Sequence, residues 1–172
     1  MGRRQARRAE PEDPVAREAG LADGPRRSPV IVYLDTSHLV KLFLDEPDAS
    51  AIQRLVADAD AVATSILAYA EARAVFARRR RERLMTAAEC RAAVRQLDAD
   101  WLRLVVIALD DDVGRAAGRL ADRHGLRGSD AVHLATFEDL LGRSGDDEVQ
   151  FSCADDRLVR AARALGRRGS PT

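Results

Sequence analysis

Val30-Ile31-Val32-Tyr33-Leu34-Asp35-Thr36-Ser37 is the stretch whose reading decides the fold. Its first five residues make an unbroken apolar, largely β-branched run of strand length. A run without polar alternation suits a strand buried on both faces of a parallel sheet. The acid that follows stands at the carboxyl end of that strand, where open α/β sheets place their ligands.

Outward from this segment, strands and helices alternate. Thr36 to Leu44 reads as a helix halted near Pro47, and Asp48 to Ala57 as a second, with Ile52, Leu55 and Val56 on one side. Ala61 to Thr64 is a short strand. Ser65 caps a long helix to about Arg81, and Thr86 caps another to about Trp101. Leu104 to Ile107 is the third strand. Asp110 to His124 is helical and Gly125 stops it. Ser129 caps a helix to about Leu141, ended by Gly142. Val149 to Cys153 is the fourth strand, and Asp155 to Leu165 the last helix. Strands separated by helices pair in parallel through crossovers, so the expectation is an α/β fold with helices on both faces of a sheet of about four or five strands. Residues 1–28, rich in Arg, Glu, Pro and Gly, read as a disordered extension, 29–165 as the domain, and 166–172 as a frayed tail.

The chain has 172 residues, enough for one domain with a real core. Basic and acidic residues balance at 28 each, so no global field draws it to nucleic acid or to a membrane, and any such contact must come from a local patch. Lys41 is the lone lysine. Cys90 and Cys153 are the only cysteines, which excludes a disulfide framework or a Cys-rich zinc site and suits a reducing cytoplasm. No apolar run approaches the roughly 20 residues that span a bilayer. None follows Arg3-Arg4 either, which argues against a signal peptide.

Four acids, Asp35, Glu71, Asp130 and Asp155, lie beside or inside apolar segments. Burying an ionised carboxylate is costly unless it is paired, hydrogen-bonded or bound to a metal. Each acid has a bland reading. Asp35 suits a helix N-cap. Glu71, in the stripe of Leu67, Ala70, Ala74 and Val75, suits a partner for Arg73 or Arg78. Asp130 suits the positive end of a helix. Asp155 or Asp156 suits the cap of the last helix. His133, one turn beyond Asp130 on the same face, reads as a hydrogen-bonding histidine rather than a ligand. Taken jointly, Asp35 and Asp155 both follow strands and so share one edge of a parallel sheet. Three or four carboxylates without a Cys or His set select hard cations, Mg²⁺ or Mn²⁺, and such a site suits phosphodiester hydrolysis by activated water.

Four segments carry a family likeness: Val32-Tyr33-Leu34-Asp35-Thr36-Ser37-His38-Leu39-Val40-Lys41; Ser65-Ile66-Leu67-Ala68-Tyr69-Ala70-Glu71; Leu126-Arg127-Gly128-Ser129-Asp130-Ala131-Val132-His133-Leu134-Ala135-Thr136; and Cys153-Ala154-Asp155-Asp156-Arg157-Leu158. The chain resembles the PIN-domain ribonucleases, most closely the VapC toxins of toxin–antitoxin pairs, over about residues 30 to 165. The resemblance implies a three-layer α/β/α sandwich with an acidic pocket at the strand ends. It implies that Asp35, Glu71, Asp130 and Asp155 bind Mg²⁺ or Mn²⁺ and that RNA is cleaved. It also implies a homodimer and a small VapB-like antitoxin that blocks the pocket. By its spacing to Arg157-Leu158, Asp155 rather than Asp156 matches the family acid.

Two further readings concern binding. Arg78 to Arg81, with Arg83, end the Glu71 helix. They read either as a solvated end that complements the helix dipole or as a phosphate-contacting patch. Thr36 and Ser37 read either as turn and cap residues or as groups holding a metal-bound water or the scissile phosphate. Rival functions are a haloacid-dehalogenase-like phosphotransferase and a non-catalytic PIN-like scaffold that binds RNA or protein. The first lacks the second acid, since Ser37 stands in its place, and has only Lys41 as its lysine. The second is disfavoured by the presence of all four acids.

Overall fold

The computed structural model describes residues 28–46, 48–145 and 148–166. Pro47, the N-terminal extension up to residue 27 and the tail from residue 167 lie outside the described residues. In chain order the elements are β1 Val30–Leu34, α1 Thr36–Leu39 with a 3₁₀ turn Val40–Leu42, α2 Ala49–Ala57, β2 Ala61–Ser65, α3 Ile66–Arg81, α4 Ala87–Trp101, β3 Val105–Ile107, α5 Asp111–His124, α6 Gly128–Arg143, β4 Glu148–Ser152 and α7 Asp156–Gly166. Among the described residues no helix is long and apolar enough to cross a membrane.

The four strands pair in parallel in the order β3-β2-β1-β4. Side chains of a strand alternate between the two faces, and β1 uses this fully. Val32 and Leu34 point to a core with Leu39, Ile52, Ala72, Phe76 and Leu97 from α1 to α4. Tyr33 points to the other core, with Leu120, Leu134, Phe137, Leu158 and Leu165 from α5 to α7. The expected α/β/α sandwich follows directly, with β1 buried on both sides.

Caps explain most boundaries. Thr86 and Glu89 form a reciprocal capping box at α4, and the Ser65 hydroxyl accepts from Leu67 N at 3.3 Å. Three expectations are corrected. The helix after Asp35 is one turn of α-helix, closed by Val40 N on Thr36 O, that passes into a 3₁₀ turn closed by Phe43 N on Val40 O at 3.0 Å. Next, α6 starts at Gly128 after Arg127, so Ser129 lies inside the first turn rather than capping it. Finally, α6 runs through Gly142 to Arg143, where the Ser144 hydroxyl donates to Leu140 O at 2.7 Å and satisfies a terminal carbonyl.

Gly125 ends α5 with φ +58°. An added Cβ there would stand 2.8 Å from Arg157 Nη2, which donates to the carbonyls of His124 and Gly125. Gly125→Ala is therefore expected to destabilise the chain by about 1–2 kcal/mol in urea unfolding, because the left-handed conformation opposes any Cβ.

Candidate active site

Strands β1, β2 and β3 run outward in one direction, and β4 returns to the other side of β1. The reversal falls between β1 and β4, the kind of point at which open α/β sheets form a crevice. Leu34 and Ser152 are register partners, and Asp35 N donates to Ser152 O at 3.1 Å. Asp35 and the loop carrying Asp155 thus emerge side by side, as their positions after strands required.

Asp35 is 7% exposed. Its Oδ1 accepts from Ser37 N at 2.8 Å, Ser37 Oγ at 2.5 Å and His38 N at 3.3 Å, so it caps α1. Its Oδ2 accepts from Cys153 Sγ at 3.2 Å. The Ser37 hydroxyl in turn accepts from Ala154 N at 2.9 Å, tying the β4–α7 loop to the start of α1. Asp155 Oδ1 accepts from Arg157 N at 2.7 Å and Leu158 N at 3.2 Å. Asp155 is therefore the cap of α7, and Asp156 is the first helical residue. The four acids differ in burial, and the expectation that Glu71 is at least partly buried holds. Asp155 is exposed, and Glu71 and Asp130 are half-buried.

Asp130 lies in the first turn of α6. Its carboxyl is pushed above the ordinary range by burial and then by the charges of Asp155 and Asp35; Arg127 and His133 only partly offset this. The charges of Asp155 and Asp35 thus reach Asp130 from two other segments of the chain.

Glu71 has a different environment. Burial alone would raise it, but hydrogen bonds from His133 and Thr36, with the His133 charge, hold it below the ordinary carboxylate range. His133 Nε2 lies 2.9 Å from Glu71 Oε2, and the Thr36 hydroxyl donates to the same oxygen. The arginine pairing is thus not what Glu71 makes. Arg73 donates instead to Tyr69 Oη at 2.9 Å, and Arg78 is exposed. His133 is 2% exposed and acts as a hydrogen-bonding histidine, as expected for a lone histidine. Thr36 serves Glu71, and Ser37 does cap and loop chemistry.

All the converging donors are hard carboxylate oxygens, and the repulsion on Asp130 is of the kind a divalent cation relieves. The residue set fits Mg²⁺ or Mn²⁺ on both counts. Among the described residues, no three His, Cys, Asp or Glu side chains already form a cage for an ion. Asp35 and Asp155 are instead occupied as caps.

Cys153 was missed at the sequence level as a site residue; its place in the fourth quoted segment was the available signal. Burial, then the Asp35 charge, pushes its thiol up to about 12, so it stays protonated and donates to Asp35. In the folded, metal-free chain Cys153 is expected to react with iodoacetamide at neutral pH on the order of a thousandfold more slowly than an exposed thiol, because only the thiolate attacks. Peptide mapping after timed alkylation checks this.

Two further features lie on the surface. Of the arginines that end α3, Arg79 is paired with Glu46, while Arg78, Arg80, Arg81 and Arg83 are exposed. A groove of about 840 Å³ between the 3₁₀ turn, α2 and α4, lined by Leu42, Phe43, Leu84 and Met85 among others, holds none of the four acids.

Comparison with known proteins converges on one family. The PIN domain pattern matches residues 32–140. Ribonuclease VapC45 of Mycobacterium tuberculosis (strain CDC 1551 / Oshkosh) is 37% identical over 141 residues, covering 82% of this chain and 95% of that protein. Ribonuclease VapC46 of Mycobacterium tuberculosis (strain ATCC 25618 / H37Rv) is 34% identical over 135 residues, covering 78% and 92%. Among solved structures, FitAcB from Neisseria gonorrhoeae matches with a TM-score of 0.54 at 19% identity, over 77% of this chain and 93% of that one, which is a likeness of fold.

Proposed function

This chain belongs to the PIN domain family, as a ribonuclease of the VapC type, and on that premise we propose how it works. It is the toxin of a toxin–antitoxin pair, an endoribonuclease acting in the cytoplasm and dependent on Mg²⁺ or Mn²⁺. The observation that supports the site is the strand-end geometry: Asp35 N bonds to Ser152 O, so Asp35 and the loop carrying Asp155 emerge side by side, and after burial their two charges push the Asp130 carboxyl upward.

Asp35, Asp130 and Asp155 would hold the cation, and Glu71 would either ligate it or orient a water bound to it. When bound, the cation supplies an activated water and stabilises the charge that develops on the phosphodiester. The chain's own residues prepare this. Glu71 is kept ionised by His133 and Thr36. Ser37 and Cys153 hold the two oxygens of Asp35. The Ser37–Ala154 bond keeps the Asp155 loop against β1. RNA is the substrate, and a VapB-like antitoxin is the partner that blocks the pocket of a homodimer.

RNA cleavage by the purified chain in Mg²⁺ or Mn²⁺, without antitoxin, tests the reading. Cleavage lost with EDTA supports it. Metal binding without cleavage of any RNA would favour the non-catalytic scaffold.

Arg78 supports an RNA backbone as the occupant. It lies seven residues beyond Glu71 on α3, two turns along nearly the same face, about 10 Å away. Arg81 is exposed one turn further on. Arg78→Gln with Arg81→Gln is expected to raise KM for RNA severalfold at physiological salt with kcat unchanged. Each lost phosphate contact should flatten the plot of log affinity against log salt by about 0.7.

A further inference from the structure

We propose that Tyr33 and His133 are positioning residues for Glu71, forming a buried relay that fixes which carboxylate oxygen faces the pocket. The catalytic consequence rests on the ribonuclease reading above; the relay itself rests on geometry. Tyr33 sits in the middle of β1, its ring stacked on Phe151 at 5.4 Å and edge-on to Phe137 at 5.8 Å. Its hydroxyl bonds to Thr136 and lies 3.1 Å from His133 Nδ1. Thr136 is anchored one turn along α6, its Oγ1 3.0 Å from the carbonyls of Val132 and His133. On the far side of the imidazole, Nε2 lies 2.9 Å from Glu71 Oε2 and 3.0 Å from Thr36 Oγ1.

The order of these contacts gives them a direction. A carboxylate only accepts, so the proton shared with Glu71 belongs to His133 Nε2. Nδ1 is then left to Tyr33, whose ring is locked by three aromatic neighbours. Two donors to Glu71, Nε2–H and the Thr36 hydroxyl, converge on Oε2, and Ser129 also favours the ionised carboxylate. Oε2 is anchored, and Oε1 becomes the working oxygen.

Core packing does not require this arrangement. Tyr33 and Thr136 are 0% exposed and His133 is 2% exposed. Apolar residues of similar shape would fill the same space without polar groups to satisfy, and a buried network is favourable only when every member is paired. Here all members are paired, and the network ends at Glu71, the one acid of the four with an imidazole within hydrogen-bond distance. Outer partners that orient a ligand typically affect metal affinity or activity 10–100-fold.

The test compares His133→Leu, which removes the donor, with His133→Gln, whose amide nitrogen reaches the Nε2 position, and Tyr33→Phe, which removes only the hydroxyl. In the metal-free parent, ¹⁵N–¹H correlation of the imidazole should show a proton on Nε2, and Tyr33→Phe should move the Nδ1 resonance. His133→Leu should lower kcat about 10–100-fold and weaken Mn²⁺ binding measured by calorimetry, with KM for RNA unchanged. His133→Gln should recover most of both. An unprotonated Nε2, an Nδ1 resonance unmoved in Tyr33→Phe, or a glutamine variant as impaired as the leucine one overturns the relay. If His133→Leu does not fold, Tyr33→Phe decides alone, by its Nδ1 resonance and an expected severalfold loss of kcat. A parent chain that cuts no RNA would instead sink the ribonuclease reading, since the imidazole signals are read without metal or substrate.

Discussion

Asp130→Asn is expected to lower RNA cleavage by at least about a hundredfold while the chain stays folded. Loss of an outer-shell partner already costs a metal site up to about that factor, and loss of a ligand should cost no less. The same substitution carries a thermodynamic signature. The folded-state carboxyl of Asp130 is raised by burial and by Asp155 and Asp35. A raised group contributes stability below its unfolded pKa and loses it as pH rises through the folded value. Asparagine does not titrate. In the metal-free protein the variant should therefore gain stability relative to the parent as pH climbs through the carboxylate range, and the difference should level off towards neutral pH. Thermal unfolding at several pH values, beside a cleavage assay, measures both effects. A variant that cuts RNA at the parent rate, or whose relative stability falls with rising pH, would show that Asp130 is not one of a cluster of mutually repelling site acids.

Phe76→Ala is expected to cost about 3–5 kcal/mol of folding stability, the usual range for emptying a buried aromatic site. Phe76 is 0% exposed, meets Phe43 edge-on at 6.1 Å and belongs to the core that seats α3. A domain of this kind has about 5–15 kcal/mol in all, so much of the margin would go. Glu71 lies five residues earlier on the same helix, so activity should fall through lost fold rather than lost chemistry. Leu102→Ala is the control: that side chain is 87% exposed, and its loss should change stability by less than about 0.5 kcal/mol. Urea unfolding of the two variants compares them directly. A small change in Phe76→Ala would mean that this core repacks around the gap.

Much of the molecule was legible locally. The run before Asp35 announced a strand covered on both sides, because no position in it is polar enough to face water. Thr86 with Glu89, Asp110 and Gly125 marked helix ends through chemistry confined to a few residues. The α6 boundaries were misread for the same reason. Ser129 and Gly142 carry local signals, but the packing of α6 against α5 and the sheet settles where that helix starts and stops. Position after a strand placed Asp35 and Asp155 correctly, but it said nothing of their different burial, which depends on what covers each loop.

The sequence by itself determined the order of strands and helices, the parallel sheet and the strand-end positions of the acids, because each rests on spacing within one segment. Only the tertiary structure decided what the acids do for one another. It gave Glu71 a histidine and a threonine instead of an arginine, made Asp155 rather than Asp156 the cap, and set Cys153 against Asp35. The partners Thr36, Glu71 and His133 lie 35 to 97 residues apart, and pairing at that separation depends on crossover geometry and side-chain direction, which no short window of sequence contains.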